Sequence, residues 1–188
     1  MANPHYRRGF KKEANELARE LREEMGLAPH EPLCPWRLAE HLCVPVQPLS
    51  DFSADPEVAY LASVSGSQEF SAIVAYEGLS AFVIYSDQHS VPRQAANIAH
   101  ELAHIVLRHP PKPPVNPDGT RDYRKELEDE ASWLGPALLV SEEAALYVVE
   151  QRMSAATAAD QYGVSQELLT MRINVTAARK RVARRRAA

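Results

Sequence analysis

Five residues in the middle of the chain constrain it most. His100-Glu101-Leu102-Ala103-His104 places two histidines at i and i+4. On a helix such a pair lies on one face, a turn apart, so both imidazoles can reach one metal ion. A glutamate beside the first histidine can then act as general base toward a water at that ion. Ser90 with Pro92 is a helix-start signal, and the apolar pattern carries the helix to about Arg108. A catalytic zinc site takes three protein ligands and keeps one position open. The fold must therefore bring a third ligand to the histidine face from elsewhere.

Ile98, Leu102 and Ile105 make the main apolar stripe of this helix. At 3.6 residues per turn, His100 and His104 point roughly 160° away from Leu102, so they are not core histidines on that stripe. Ala96, Ala103 and Leu107 lie on their side, which leaves room for a second helix to close over them. That helix is expected from about Asp122 to Val140. It follows a loop at 110–119 whose five prolines exclude regular structure. It carries Glu126, Glu128 and Glu130, and amphipathic geometry alone does not choose among them. Glu128 has one further argument: Ala131, Ser132 and Gly135 share its side, so this strip can approach the histidine helix closely. Ser132, one turn on, can support a ligand by hydrogen bonding. Glu126 reads best as a solvated charge. His109 lies just past the helix, away from the glycine-marked position of a third histidine ligand.

Elsewhere, residues 10–25 read as an amphipathic helix on Ala14, Leu17, Leu21 and Met25, stopped by Gly26. A short helix is expected through Trp36, Leu38, Ala39 and Leu42, then an edge strand at Val44-Pro45-Val46. Residues 50–67 read as loop with a short strand near Ala59–Ser63. Phe70–Tyr76 and Ser80–Tyr85 are β-rich and separated by Glu77-Gly78, which predicts a hairpin. Ser141 with Glu142 and Glu143 starts another helix, and 154–175 reads as two short helices joined at Gly163. Helices, a small sheet and then more helices define an α+β chain. Its organisation is read as one domain over 1–175 with an N-terminal helix, and a basic tail over 176–188.

The 188 residues are 45% hydrophobic and 24% charged, which excludes a wholly disordered or collagen-like chain. No apolar run approaches a membrane span, and the first residues lack the apolar core of a secretory signal. Cys34 and Cys43 form no metal or disulfide framework. They read as inert small residues in a reducing cytoplasm. The net charge of −4 hides an asymmetry. Residues 1–171 carry 14 positive against 25 negative charges, a net of −11, while Arg179, Lys180, Arg181, Arg184, Arg185 and Arg186 crowd the end. A solvated tail is the plainer reading, and contact with nucleic acid the sharper one. Ala159-x-x-x-Gly163-Val164-Ser165 also has the spacing of a helix-turn-helix turn. Packing within the domain is its better reading, and DNA contact the alternative.

The segments NIAHELAHIVLRH and EDEASWLGPALLVS resemble the ImmA/IrrE family of metallo-endopeptidases. The resemblance implies a zincin-like domain with a small mixed or antiparallel sheet ahead of the histidine helix and a helical C-terminal part. It implies zinc, or manganese or another divalent ion in its place, held by His100, His104 and Glu128, with Glu101 as catalytic base. Ser132 stands where the family pattern has Asn or Asp. The chain resembles short members that lack a C-terminal sensor domain and occur beside a helix-turn-helix repressor. Such a repressor is then the expected protein substrate, cleaved in the cytoplasm with no membrane involved. One strand within 70–86 is expected to pair with the substrate backbone. No second oxyanion donor can be placed. Tyr162 and Arg172 are candidates, but structural roles are the better reading of both. The rival reading is a DNA-associated regulator, or an antitoxin-like binding protein, with a structural or vestigial zinc site. Glu101 favours the enzyme, because a structural site has no use for a base.

Overall fold

Left-handed glycines bound the first helix: α1 (Phe10–Glu24) starts after Gly9 at φ 85° and stops before Gly26 at φ 72°. It buries Phe10, Ala14, Ala18 and Leu21. The computed structural model describes residues 6–63, 66–78, 80–110 and 124–187. The proline-rich loop and the expected helix start at Asp122 fall almost wholly within 111–123, outside the described residues. After α1 come α2 (Pro35–His41) and β1 (Val46–Pro48), then α3 (Pro56–Leu61), β2 (Ala72–Glu77), β3 (Ser80–Tyr85) and α4 (Val91–Val106). The chain continues through α5 (Lys125–Leu139), α6 (Glu142–Glu150), α7 (Ala155–Tyr162), α8 (Gln166–Val175) and α9 (Ala178–Ala187).

One expectation is overturned. The strand expected near Ala59–Ser63 is the helix α3. Asp55-Pro56 is its start signal: the Val58 amide donates to Asp55 Oδ1 and the Ala59 amide to the Asp55 carbonyl. An acceptor side chain followed by proline at the first helical position outweighs the strand propensity of Val58 and Tyr60. Cys34 and Cys43 are unpaired, as expected, and both are exposed.

The sheet is mixed, in the order β1-β3-β2. β1 runs parallel to β3 and β2 antiparallel to it, with Val46 and Val74 both opposite Val83. The Val83 amide donates to the Pro45 carbonyl. Val83 therefore directs its backbone groups toward β1, and Val74 opposite it directs its own away from β3, along the outer side of β2. Ala72 and Tyr76 follow by alternation.

Two apolar clusters fill the interior. One joins α1, α2, β3, α4 and the middle of α5 around Leu38, Ile98, Leu102, Leu134 and Leu138. The other joins the end of α5 to α6, α7, α8 and α9 around Leu139, Val140, Ala144, Tyr162 and Leu169. α5 thus runs through both, and its C-terminal carbonyls end up inside the protein. A helix end leaves its last carbonyls without intrahelical partners. Two arginines meet them. Arg22 of α1 donates to the carbonyls of Leu138 (2.7 Å) and Leu139 (3.2 Å), and also to those of Ala18 and Glu31. Arg172 of α8 donates to the Val140 carbonyl at 2.8 Å. Both side chains are buried, and burial lowers each guanidinium to about 10.

The C-terminal basic segment is the helix α9. Ala178 and Val182 pack into the second cluster, Arg181 pairs with Glu142, and Arg185 pairs with Glu150 at 2.8 Å. Arg186 donates to the Glu150 carbonyl. Arg179, Lys180 and Arg184 remain exposed. Gly163, at φ 63°, makes the turn between α7 and α8. Among the described residues no helix is long and apolar enough to cross a membrane.

Candidate metal centre

α4 presents the histidine pair and α5 covers it. The approach is close because Gly135 of α5 lies directly over His100. A Cβ built on Gly135 would stand 3.0 Å from His100 Cα, 3.1 Å from its amide nitrogen and 3.2 Å from the Ala99 carbonyl carbon. These are backbone atoms, so no side-chain rotation can relieve the contact. Gly135→Ala should therefore push the two helices apart at the histidine itself, at a cost of about 1–3 kcal/mol. Thermal unfolding measures this, and an unchanged melting temperature would show that the interface gives way freely.

Gly135 and buried Ala131 therefore bring α5 against α4, without Ser132, and Glu128 arrives at the histidines. His100 Nε2 and His104 Nε2 are 3.3 Å apart. Glu128 Oε2 lies 3.4 Å from the first and 3.5 Å from the second. The three atoms form a nearly equilateral triangle. A tetrahedral ion with ligands at 2.0–2.1 Å has ligand-to-ligand edges of about 3.3–3.4 Å. The donor set therefore fits one face of a zinc-like tetrahedron, with two imidazole nitrogens and one carboxylate oxygen. His104 is buried, while His100 and Glu128 are about a quarter exposed. Among the described residues this is the one cluster of three possible ligands close enough to share an ion.

Glu101 stands beside the triangle rather than in it. Its Oε2 accepts from the Val74 amide at 2.9 Å, which ties it to the outer side of β2. Burial raises the pKa of its carboxyl, and Glu128 adds to this. The two histidines and the Val74 hydrogen bond pull the other way without cancelling it. Tyr76, two residues along the same edge, is also raised, by burial and then by the Glu101 charge. It stays a protonated phenol close to that carboxylate.

Several expected residues fall elsewhere. Ser132 is exposed and has no hydrogen-bond partner among the described residues, because its short side chain faces outward from the α4 contact. Glu126 is exposed, as expected of a solvated charge. Tyr162 donates to the His30 carbonyl at 2.7 Å, and Arg172 is occupied at the end of α5. Both are structural, and neither is an oxyanion donor.

The second ring nitrogen of His104 meets residues that the sequence reading did not pair with it. His109 Nδ1 lies 2.8 Å from His104 Nδ1, and His109 Nε2 lies 3.4 Å from Glu130 Oε2. Glu130, buried, is paired with Arg7 from the segment ahead of α1. Gln94, near the start of α4, donates to the carbonyls of Asp87 and His89 and fixes the loop that leads into the histidine helix.

A mixed three-stranded sheet, a helix-borne histidine pair and a carboxylate from the next helix define an α+β domain of the metallopeptidase type. The family described as the IrrE N-terminal-like domain, peptidase M78, matches residues 37–174, and the chain belongs to that family. No curated protein and no solved structure matches it.

Proposed function

We propose that the chain is a zinc-dependent endopeptidase of the zincin-like kind that hydrolyses a peptide bond in a protein substrate. The observation that carries this is the triangle of His100 Nε2, His104 Nε2 and Glu128 Oε2, whose edges suit one face of a four-coordinate ion. These three residues would hold the ion. Zinc is the first choice, and manganese or another divalent ion is compatible with a two-nitrogen, one-oxygen set. When bound, such an ion supplies Lewis acidity and brings the pKa of water from 15.7 toward about 7.

The chain's own residues do the rest. Glu101 takes a proton from the attacking water and returns it to the leaving amine. Its place beside the ligand triangle, held by the Val74 amide, suits it to both halves of that exchange. The outer side of β2 offers the backbone groups of Ala72 and Tyr76 and the carbonyl of Val74 to an extended peptide, the Val74 amide being held by Glu101. A substrate strand added there lies beside Glu101. The resemblance to short members of the family suggests a helix-turn-helix repressor as the substrate, which would put the activity in the cytoplasm.

The test combines metal analysis with cleavage. The purified chain should hold one equivalent of zinc, and Glu128→Ala should lose it, with cleavage of a helix-turn-helix repressor substrate lost in parallel. A chain that takes up no divalent ion overturns the reading. Exposed Arg179, Lys180 and Arg184 favour one rival, a regulator that contacts DNA. That reading predicts binding that weakens steeply with salt and disappears when these three residues are replaced by glutamate.

A further inference from the structure

α4 does not simply end after its second histidine. The Arg108 amide donates to the Ile105 carbonyl and the His109 amide to the His104 carbonyl, while Arg108 sits at φ 53°. This pair of bonds with a left-handed residue between them is the Schellman ending of a helix. It folds the chain back on itself, so that a residue five positions after His104 lies against the His104 ring. The ring centroids are 4.9 Å apart.

The proton accounting of this contact allows one arrangement. His104 Nε2 is the atom that faces His100 Nε2 and Glu128. To bind a metal there it must offer a lone pair, so the single ring proton must sit on Nδ1. That N–H needs an acceptor, and His109 Nδ1 is 2.8 Å away. His109 then carries its own proton on Nε2, which faces the Glu130 carboxylate at 3.4 Å. Glu130, paired with the Arg7 guanidinium, can only accept. His104, His109 and Glu130 are 8%, 7% and 4% exposed, so water does not compete for these bonds. With the protons placed the other way, His104 Nε2 would carry hydrogen and could not bind an ion.

We propose, resting on the metal reading above, that His109 is a positioning residue for this centre. It accepts the Nδ1–H of His104 and holds that imidazole in its ligating tautomer, while Glu130 and Arg7 fix His109 in turn. Metal-binding histidines are commonly oriented in this way through their second nitrogen, and loss of such a partner costs about 10–100-fold in metal affinity. Here a neutral imidazole does the orienting directly, and the carboxylate acts one step further out.

The experiment measures zinc affinity of the full chain by competition with a chromophoric chelator. His109→Phe keeps a ring of similar size but removes the acceptor, and zinc binding should weaken about 10–100-fold. His109→Asn sets an amide oxygen near the place of Nδ1 and should recover most of that loss. Independently, nitrogen-15 NMR of the metal-free wild type should show His104 protonated on Nδ1. Unchanged zinc affinity in a folded His109→Phe overturns the proposal. So does a wild-type His104 protonated on Nε2, a measurement that needs no variant to fold. A wild-type chain that binds neither zinc nor any other divalent ion overturns both this and the metal reading, whereas loss confined to the tests above overturns this proposal alone.

Discussion

Glu101→Gln should leave zinc uptake intact and reduce peptide cleavage by about 10²–10⁴-fold, the usual contribution of a general base. The variant isolates proton transfer. The proposed ligands are His100, His104 and Glu128, none of which changes. Glutamine has the size of glutamate, and its amide oxygen can still accept from the Val74 amide, as Glu101 Oε2 does at 2.9 Å. What disappears is a carboxylate able to take a proton and give it back. The measurement is a cleavage rate on the repressor substrate beside a zinc titration of the same preparation. Wild-type cleavage by Glu101→Gln would remove Glu101 from the chemistry. Parallel loss of zinc would make it a ligand or a folding residue instead.

The second large effect is on stability. Arg22→Met should destabilise the chain by about 3 kcal/mol or more, because it orphans buried carbonyls that had a charged donor. For a chain of this size that lowers the melting temperature by roughly 6–12 °C. Arg22 donates to four carbonyls, and two of them, Leu138 and Leu139, end α5 inside the protein. Methionine can fill the space of the arginine stem but offers no N–H. The substitution also removes a buried charge, whose cost is seen in a guanidinium lowered to about 10. The expected loss is therefore smaller than four separate hydrogen bonds would suggest. Urea unfolding monitored by circular dichroism gives the value. A change below about 1 kcal/mol would mean that water reaches these carbonyls in the variant.

What the sequence made legible follows from how local each signal is. The histidine pair and Glu101 lie within one helical turn and a half, so their spacing alone sets their faces. Glu128 needed one tertiary idea, a close approach along a strip of small residues, and Gly135 against His100 bears that idea out. His109 and Glu130 were not legible as partners. The turn that returns His109 to His104 usually shows itself by glycine, and here arginine occupies the left-handed position. Glu130 looked like one more acid on a charged helix, because nothing local to it announces Arg7, 123 positions away. Ser132 failed as a support for the converse reason. Its spacing was right, but its side chain was too short and faced outward. The helix α3 was missed because residues 50–67 read as loop with a short strand, and the Asp55-Pro56 cap is a signal of only two residues. The structural reading of Arg172 was right, but neither its partner nor any role for Arg22 was legible, since their burial depends on where α5 ends in space.

α5 is anchored in its first half and at its end. Arg7 grips Glu130 near its start, and Arg22 and Arg172 seize its final carbonyls. From Glu130 to its end α5 is thus a strut rather than a hinge, and Glu128 lies less than one turn from the nearer anchor. Loading should then proceed without a folding step, with the backbone spectrum of the empty protein nearly superimposable on that of the filled one.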